Sequence, residues 1–308
     1  MSVAIIGGTG FVGGYLVDAL LDKGHAPTLL VRPGSTHKVR RADNCRVVEG
    51  DLGSVRAIEA LLEGCTAVIY NVGILREFPT KGISYEETQY AGVVRTIEAA
   101  QKHGVARILL MSSNGVEQAR TGYQKTKYRA EQAVKESGLR YTIFRPSVIF
   151  GDPRGTMEIA TQLYRDLIRP PIPAVGFHTG WKPATGQILM SPVHVHDVAD
   201  AFANALDDPA TIGMTYTLGG PEELHWTEML KRIAAATGKR KLILPMPIAA
   251  MKLGAMLFDW LPFYPVTRDQ LTMLAAGNAV DPGELQALIK REARPFSTEN
   301  LGYLRPQS

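Results

Sequence analysis

Tyr123 and Lys127 stand four residues apart in "GYQKTKYRAEQAVKE" (122–136), a spacing that puts both side chains on one face of a helix. A phenol ionises near pH 10 and is a poor acid or base at neutrality, and an adjacent ammonium favours its phenolate. The pair therefore has the chemistry of a tuned proton donor or acceptor. Near the start of the chain, "AIIGGTGFVGG" (4–14) holds Gly7, Gly10 and Gly13 between an apolar run and a helical pattern. In a strand–turn–helix setting the first glycine permits the tight turn. The second lets backbone approach a pyrophosphate, and the third lets helix pack on strand. The N–H groups at the helix start, around Thr9, Phe11 and Val12, then face the phosphates. The motif predicts a dinucleotide site.

Which dinucleotide is asked of the next strand. "TLLVRPGSTHK" (28–38) ends its apolar run at Arg32, and no carboxylate follows before Asp43. An acidic residue there would hold a ribose 2′-hydroxyl and repel a 2′-phosphate. Arg32, with Ser35 or Lys38, supplies donors and positive charge instead, which predicts NADP(H) in preference to NAD(H). A merely solvated basic loop is the alternative. His194 and His196, as alternate residues, would share a strand face if "VHVHD" (193–197) were extended, and with Asp197 next to them they suggest a metal site.

The elements that must position these residues alternate regularly. Short β-rich runs fall at 3–7, 27–32, 45–50, 67–71, 107–113 and 140–146, with amphipathic stretches at 11–22, 54–63, 85–103 and 123–137 between them. Apolar runs separated by helices predict parallel strands buried on both faces, hence an α/β doubly wound parallel sheet of the Rossmann type. Residues 1–150 are expected to form the dinucleotide-binding domain, with a β-α unit at 190–208 and a strand at 214–220 returning to its sheet. Residues 151–189 and 221–308 form a smaller C-terminal substrate lobe in this reading, with helices near 226–237 and 247–260. "FHTGW" (177–181) is either a lid or an ordered surface excursion. The Met-rich 246–263 segment is a packed helix, or it lines an apolar substrate pocket or touches a membrane surface.

Composition bounds the partners. The chain has 308 residues, 45% hydrophobic and 21% charged, with a net charge of +4. That is ordinary for a globular protein and too diffuse for a nucleic-acid surface. Two cysteines cannot build a disulfide framework and fit a reducing compartment. The longest apolar stretch, 247–263, is interrupted by Lys252 and Asp259 and is short for a membrane span. With the first strand beginning at once and no leader before it, the expectation is a cytoplasmic protein acting on a small molecule.

With the glycine turn, "GDL" (50–52), "NVG" (71–73), "YQKTK" (123–127), "SGLRYTIFRPSVIFG" (137–151) and "SPVHVHDVADAF" (191–202), the chain resembles the extended or atypical short-chain dehydrogenases/reductases over residues 3–220. Within them it is most similar to the group around the nucleotide-binding accessory subunit of respiratory complex I and its bacterial relatives. The resemblance implies that Asp51 and Leu52 lie by the adenine. It further implies that Asn71, Val72, Gly73 and Pro146 line the cofactor site, and that Lys127 holds the nicotinamide ribose while lowering the Tyr123 pKa. Tyr123 would exchange a proton with a carbonyl or alcohol. The substrate-orienting hydroxyl of the family falls on Asn114 or, after a one-residue shift, on Ser113. The His194–Asp197 stretch lies at a strand-to-helix junction in such proteins, without metal. Two functions follow from the resemblance: hydride transfer, alone or within an epimerase- or dehydratase-type cycle, and non-catalytic nucleotide binding in respiratory-complex assembly or redox sensing, with peripheral association.

Overall fold

The computed structural model describes residues 1–180, 186–251 and 268–305, and the chain divides into two compact units. The first comprises Met1–Pro146, Val195–Thr217 and Ala287–Lys290. It is built on β1 (Ser2–Ile6), α1 (Phe11–Asp22), β2 (Ala26–Val31), β3 (Arg46–Glu49), α2 (Val55–Leu62), β4 (Ala67–Tyr70), α3 (Gly92–Lys102), β5 (Arg107–Met111), α4 (Gly122–Glu136) and β6 (Arg140–Pro146). The strands are short apolar runs: every residue of β4 and β5 is buried, as expected of parallel strands covered on both faces.

Strands β3-β2-β1-β4-β5-β6 lie side by side in that order, and all of these neighbours are parallel. Ile6 is level with Leu30 on one side and Tyr70 on the other, and Met111 is level with Phe144. The register brings the carboxyl ends of the strands to one edge. Chain order reverses between β1 and β4, the crevice where open α/β sheets take ligands. The Tyr123 helix is anchored at its start: Thr121 and Gln124 form a reciprocal capping box. Ahead of α3, Glu86–Ala91 forms a π-helical turn, so the 85–103 stretch is two kinds of helix rather than one.

The second unit comprises Ser147–His194, Leu218–Gln286 and Arg291–Ser308. Its short strands pair as β7 (Ile149–Phe150) with β10 (Val193–His194), β8 (Ala174–His178) with β13 (Ile243–Pro247), and β9 (Leu189–Met190) with β12 (Leu224–His225). Phe150, Trp226, Met229, Leu230 and Phe296 sit in one core, to which helices α5 (Ile159–Leu163) and α7 (Trp226–Ala236) contribute.

Two expectations need correcting here. The strand of the 190–208 β-α unit pairs with β7 and not with the main sheet, which instead gains β11 (Met214–Leu218) beside β6; the helix of the same unit, α6 (Val195–Asp207), belongs to the first unit. Residues 243–247 form a strand for which no expectation was made, and helical residues 248–251 follow it. Pro245 and Pro247 cannot donate in a helix interior but are tolerated in a two-stranded edge pairing. Phe177 and His178 are buried in β8 and so do not form a lid. Trp181, and the 252–263 part of the Met-rich segment, lie outside the described residues. Among the described residues no helix is long and apolar enough to cross a membrane.

Candidate functional site

The glycine turn joins β1 to α1. Gly7 has φ +90°, and a Cβ on it would run into the carbonyl oxygen of Asn71 at the end of β4, so any other residue is strained there. A Cβ on Gly13 would strike the Gly7 carbonyl oxygen and the Gly8 backbone. Gly10 has room, its nearest neighbour being the Gly7 oxygen at 3.4 Å. Gly10 caps α1 without a side-chain bond, and the first turn carries no acidic residue. The first i→i−4 bond of the helix is donated by Gly14 to Gly10, so the N–H groups of Phe11, Val12 and Gly13 precede the helical ladder. Thr9 is half-buried in the same turn. Such a helix start can take a pyrophosphate, and the space beside Gly10 is the one left open for its approach.

Along the same edge, Arg32 follows β2 directly and is exposed. Its carbonyl accepts from Ser35 N–H at 2.9 Å, and Lys38 N–H bonds back to Ser35 O at 3.0 Å, curling the loop. After β3, the Asp51 carboxylate accepts from Gly53 N–H at 2.8 Å, and the Leu52 carbonyl accepts from Arg95 Nε at 2.7 Å. After β4, the Val72 carbonyl accepts from Lys127 Nζ at 3.0 Å. A Cβ on Gly73 would lie 3.5 Å from the same nitrogen.

Lys127 also donates to the Met111 carbonyl at the end of β5, at 2.7 Å. Burial pulls its pKa down to about 8, against the pull of Glu131, whose charge raises it. Tyr123, likewise buried, is raised by desolvation, and its hydrogen bond to the Ser113 side chain opposes the rise. This differs from the expected depression of the phenol. The Lys127 ammonium is turned to two carbonyl oxygens, and removal from water governs the phenol. Of the two candidates at the end of β5, the Ser113 side chain acts on the Tyr123 phenol, and its hydroxyl also lies 3.5 Å from the Asn114 carbonyl oxygen. Backbone pairing explains the register: Ser112 N–H bonds Phe144 O at 2.7 Å and Asn114 N–H bonds Pro146 O at 3.0 Å, so β5 stays tied to β6 through Asn114.

Neighbours without a sequence signal surround the pair. Tyr85 is buried with its ring edge-on to Tyr123 at 5.9 Å, and its hydroxyl donates to Leu75 O at 3.0 Å. Gln89 links Thr126 to the carbonyl of Ile74. Glu131 could have been found, since it continues the Tyr123–Lys127 face by one more turn. The chain changes from strand to helix between His194 and Val195, so His194 and His196 do not share a strand face. Their rings pack edge-on against Phe150 (5.0 Å) and Tyr15 (4.7 Å) respectively. Among the described residues no three His, Cys, Asp or Glu side chains converge as a metal site requires.

A family model described as NAD(P)H-binding matches residues 7–209. The chain is similar to the ceramide reductase of Caulobacter vibrioides, 28% identical over 84% of this chain and 78% of that protein. It is also similar to the mitochondrial NADH-ubiquinone oxidoreductase 40 kDa subunit of Neurospora crassa, 27% identical over 91% of this chain and 72% of the subunit. Among solved structures, the UDP-glucose 4-epimerase of Thermus thermophilus in complex with NAD superposes with a TM-score of 0.73 at 19% identity, over 99% of this chain and 97% of that one. That likeness is one of fold.

Proposed function

Since this chain belongs to the NAD(P)H-binding family and has the fold of the short-chain dehydrogenases/reductases, we propose that it is an NADP(H)-dependent enzyme passing a hydride between the nicotinamide and a carbonyl or alcohol. The observation that carries this reading is the buried Tyr123 phenol, one helical turn from the buried Lys127 on the same helix. The dinucleotide, when bound, supplies or accepts the hydride. Gly7, Thr9, Gly10, Phe11, Val12 and Gly13 would hold its pyrophosphate, and Arg32, Ser35 and Lys38 its 2′-phosphate. Asp51 and Leu52 would flank the adenine, while Asn71, Val72, Gly73, Pro146 and Lys127 would line the ribose and nicotinamide end.

In reduction, Tyr123 is the acid. Its raised pKa keeps the proton on the phenol at neutral pH, ready for the carbonyl oxygen as that oxygen gains negative charge. The Ser113 hydroxyl orients the same oxygen and then donates to the phenolate, with the Lys127 charge favouring that phenolate. Asn114, with a donor amide, is the second candidate for holding substrate. The test is oxidation of NADPH by a panel of aldehydes, ketones and quinones. Turnover should fall by at least about a hundredfold in Tyr123→Phe with NADPH affinity retained; a Tyr123→Phe variant as active as the parent would reject the assignment.

A second reading draws on the similarity to the Neurospora crassa subunit and on a Lys127 ammonium already engaged by two carbonyls. In it, the nucleotide is retained as a stabilising ligand while the protein associates peripherally with a respiratory complex. NADPH that survives purification and stays unoxidised with every carbonyl would favour it. The free Cys45 and Cys65 thiols fit a reducing compartment and support a cytoplasmic placement.

A further inference from the structure

Glu131 is wholly buried on the Tyr123–Lys127 face of α4, yet no step of the proposed hydride transfer uses it. Its carboxylate accepts from Ser112 Oγ at 2.5 Å and takes both Nε (2.9 Å) and Nη2 (2.5 Å) of Arg145, from β6. Arg145 is buried too, and its Nη1 continues to Glu117 at 2.7 Å, whose side chain is 65% exposed. Charges of alternating sign thus run from solvent inward: Glu117, Arg145, Glu131, Lys127. Ion pairs of this kind stabilise little when replacement by apolar groups is the comparison, because desolvation offsets the attraction.

We infer that Glu131, held by Arg145, is a positioning residue for the reactive pair: it pins Ser112 and with it the adjoining Ser113 against Tyr123, and it is the buried counter-charge of the Lys127 ammonium. The role assigned to the pair rests on the reductase reading, but the placement of charge does not. The titratable and charged groups of this neighbourhood are Tyr123 and Glu131 from the same helix, Arg145 from β6, Glu117 from the turn after β5, and Tyr85, whose ring packs on Tyr123. Of these, Glu131 is the anion that acts on Lys127, raising its proton affinity against burial. Arg145 bonds both oxygens of the Glu131 carboxylate and meets Glu117 through its remaining nitrogen.

The test reads Lys127 directly in the full-length protein without nucleotide. Lysine side chains labelled with 13C are titrated by NMR, and the Lys127 signal is identified by its loss in Lys127→Met. Glu131→Gln should lower the proton affinity of Lys127 about tenfold, and Glu131→Asp, which keeps the charge, should recover most of it. Because Glu131→Gln strands the Arg145 cation and can unfold the chain, Glu131→Gln with Arg145→Met serves as the second variant, and the same fall is expected there. A Lys127 midpoint unmoved in either folded variant overturns the inference. Turnover plays no part in this measurement, so a protein that reduces no carbonyl refutes the reductase reading while the Lys127 shift still stands.

Discussion

Lys127 carries a charge that the fold resists. Its folded pKa of about 8 lies below the ordinary 10.5, so between those values the unfolded chain binds the proton that the native chain has shed. Stability should therefore rise with pH across that interval, and be lost again as pH falls through about 8. Its size is at most about 3 kcal/mol. Urea unfolding of the parent and of Lys127→Met at about pH 7 and pH 9.5 checks this: the difference between them should grow in the parent's favour at the higher pH, and parallel curves would contradict it. Arg32 makes a separate claim at the same scale. It stands exposed where a carboxylate would select NAD(H), so NADPH should bind at least about tenfold tighter than NADH, roughly 1.4 kcal/mol. Arg32→Asp should narrow or invert that ratio, and equal affinities in the parent would remove the basis for the preference.

Among the elements, the turn between β1 and α1 separates two uses of glycine. A methyl on Gly13 meets backbone on three atoms, and backbone cannot step aside cheaply. Gly13→Ala should cost about 1–3 kcal/mol and weaken NADPH binding with it. Gly10→Ala meets nothing closer than 3.4 Å. Its stability should stay within about 1 kcal/mol of the parent while NADPH binding falls, as chemical unfolding and fluorescence titration can separate. Equal destabilisation by both would mean that the turn is read wrongly. The same contrast explains what could be read from sequence. The six parallel strands and the glycine turn announce themselves locally, through apolar runs and spacing. The choice between Ser113 and Asn114 depends on where β5 stops pairing with β6, a matter of partners about 30 residues away. The strand Ile243–Pro247 has no local signal, since two of its five residues are prolines and its pairing partner is Ala174–His178. Glu131 and Arg145 are invisible as a pair until α4 is laid on β6.

For the whole molecule, the residues assigned to the nucleotide fall in the first unit, while the second has its own core around Trp226 and Phe296. NADPH at about a hundred times its Kd should add about 2.7 kcal/mol to the unit that holds it. Calorimetry should show a higher melting temperature, and hydrogen exchange should slow at Gly7–Gly13 and Asn71–Gly73. A melting curve indifferent to NADPH would dismiss nucleotide binding altogether, on either functional reading. The turn at Gly7 also has a bearing on descent. On the proposed reading the pyrophosphate is held by main chain around Gly7, Gly10 and Gly13, and the proton is moved by a single phenolic oxygen, which one base substitution from tyrosine to phenylalanine removes without touching that turn. A lineage built on this plan would therefore fall silent as a catalyst in one step while still inheriting the nucleotide as a structural part.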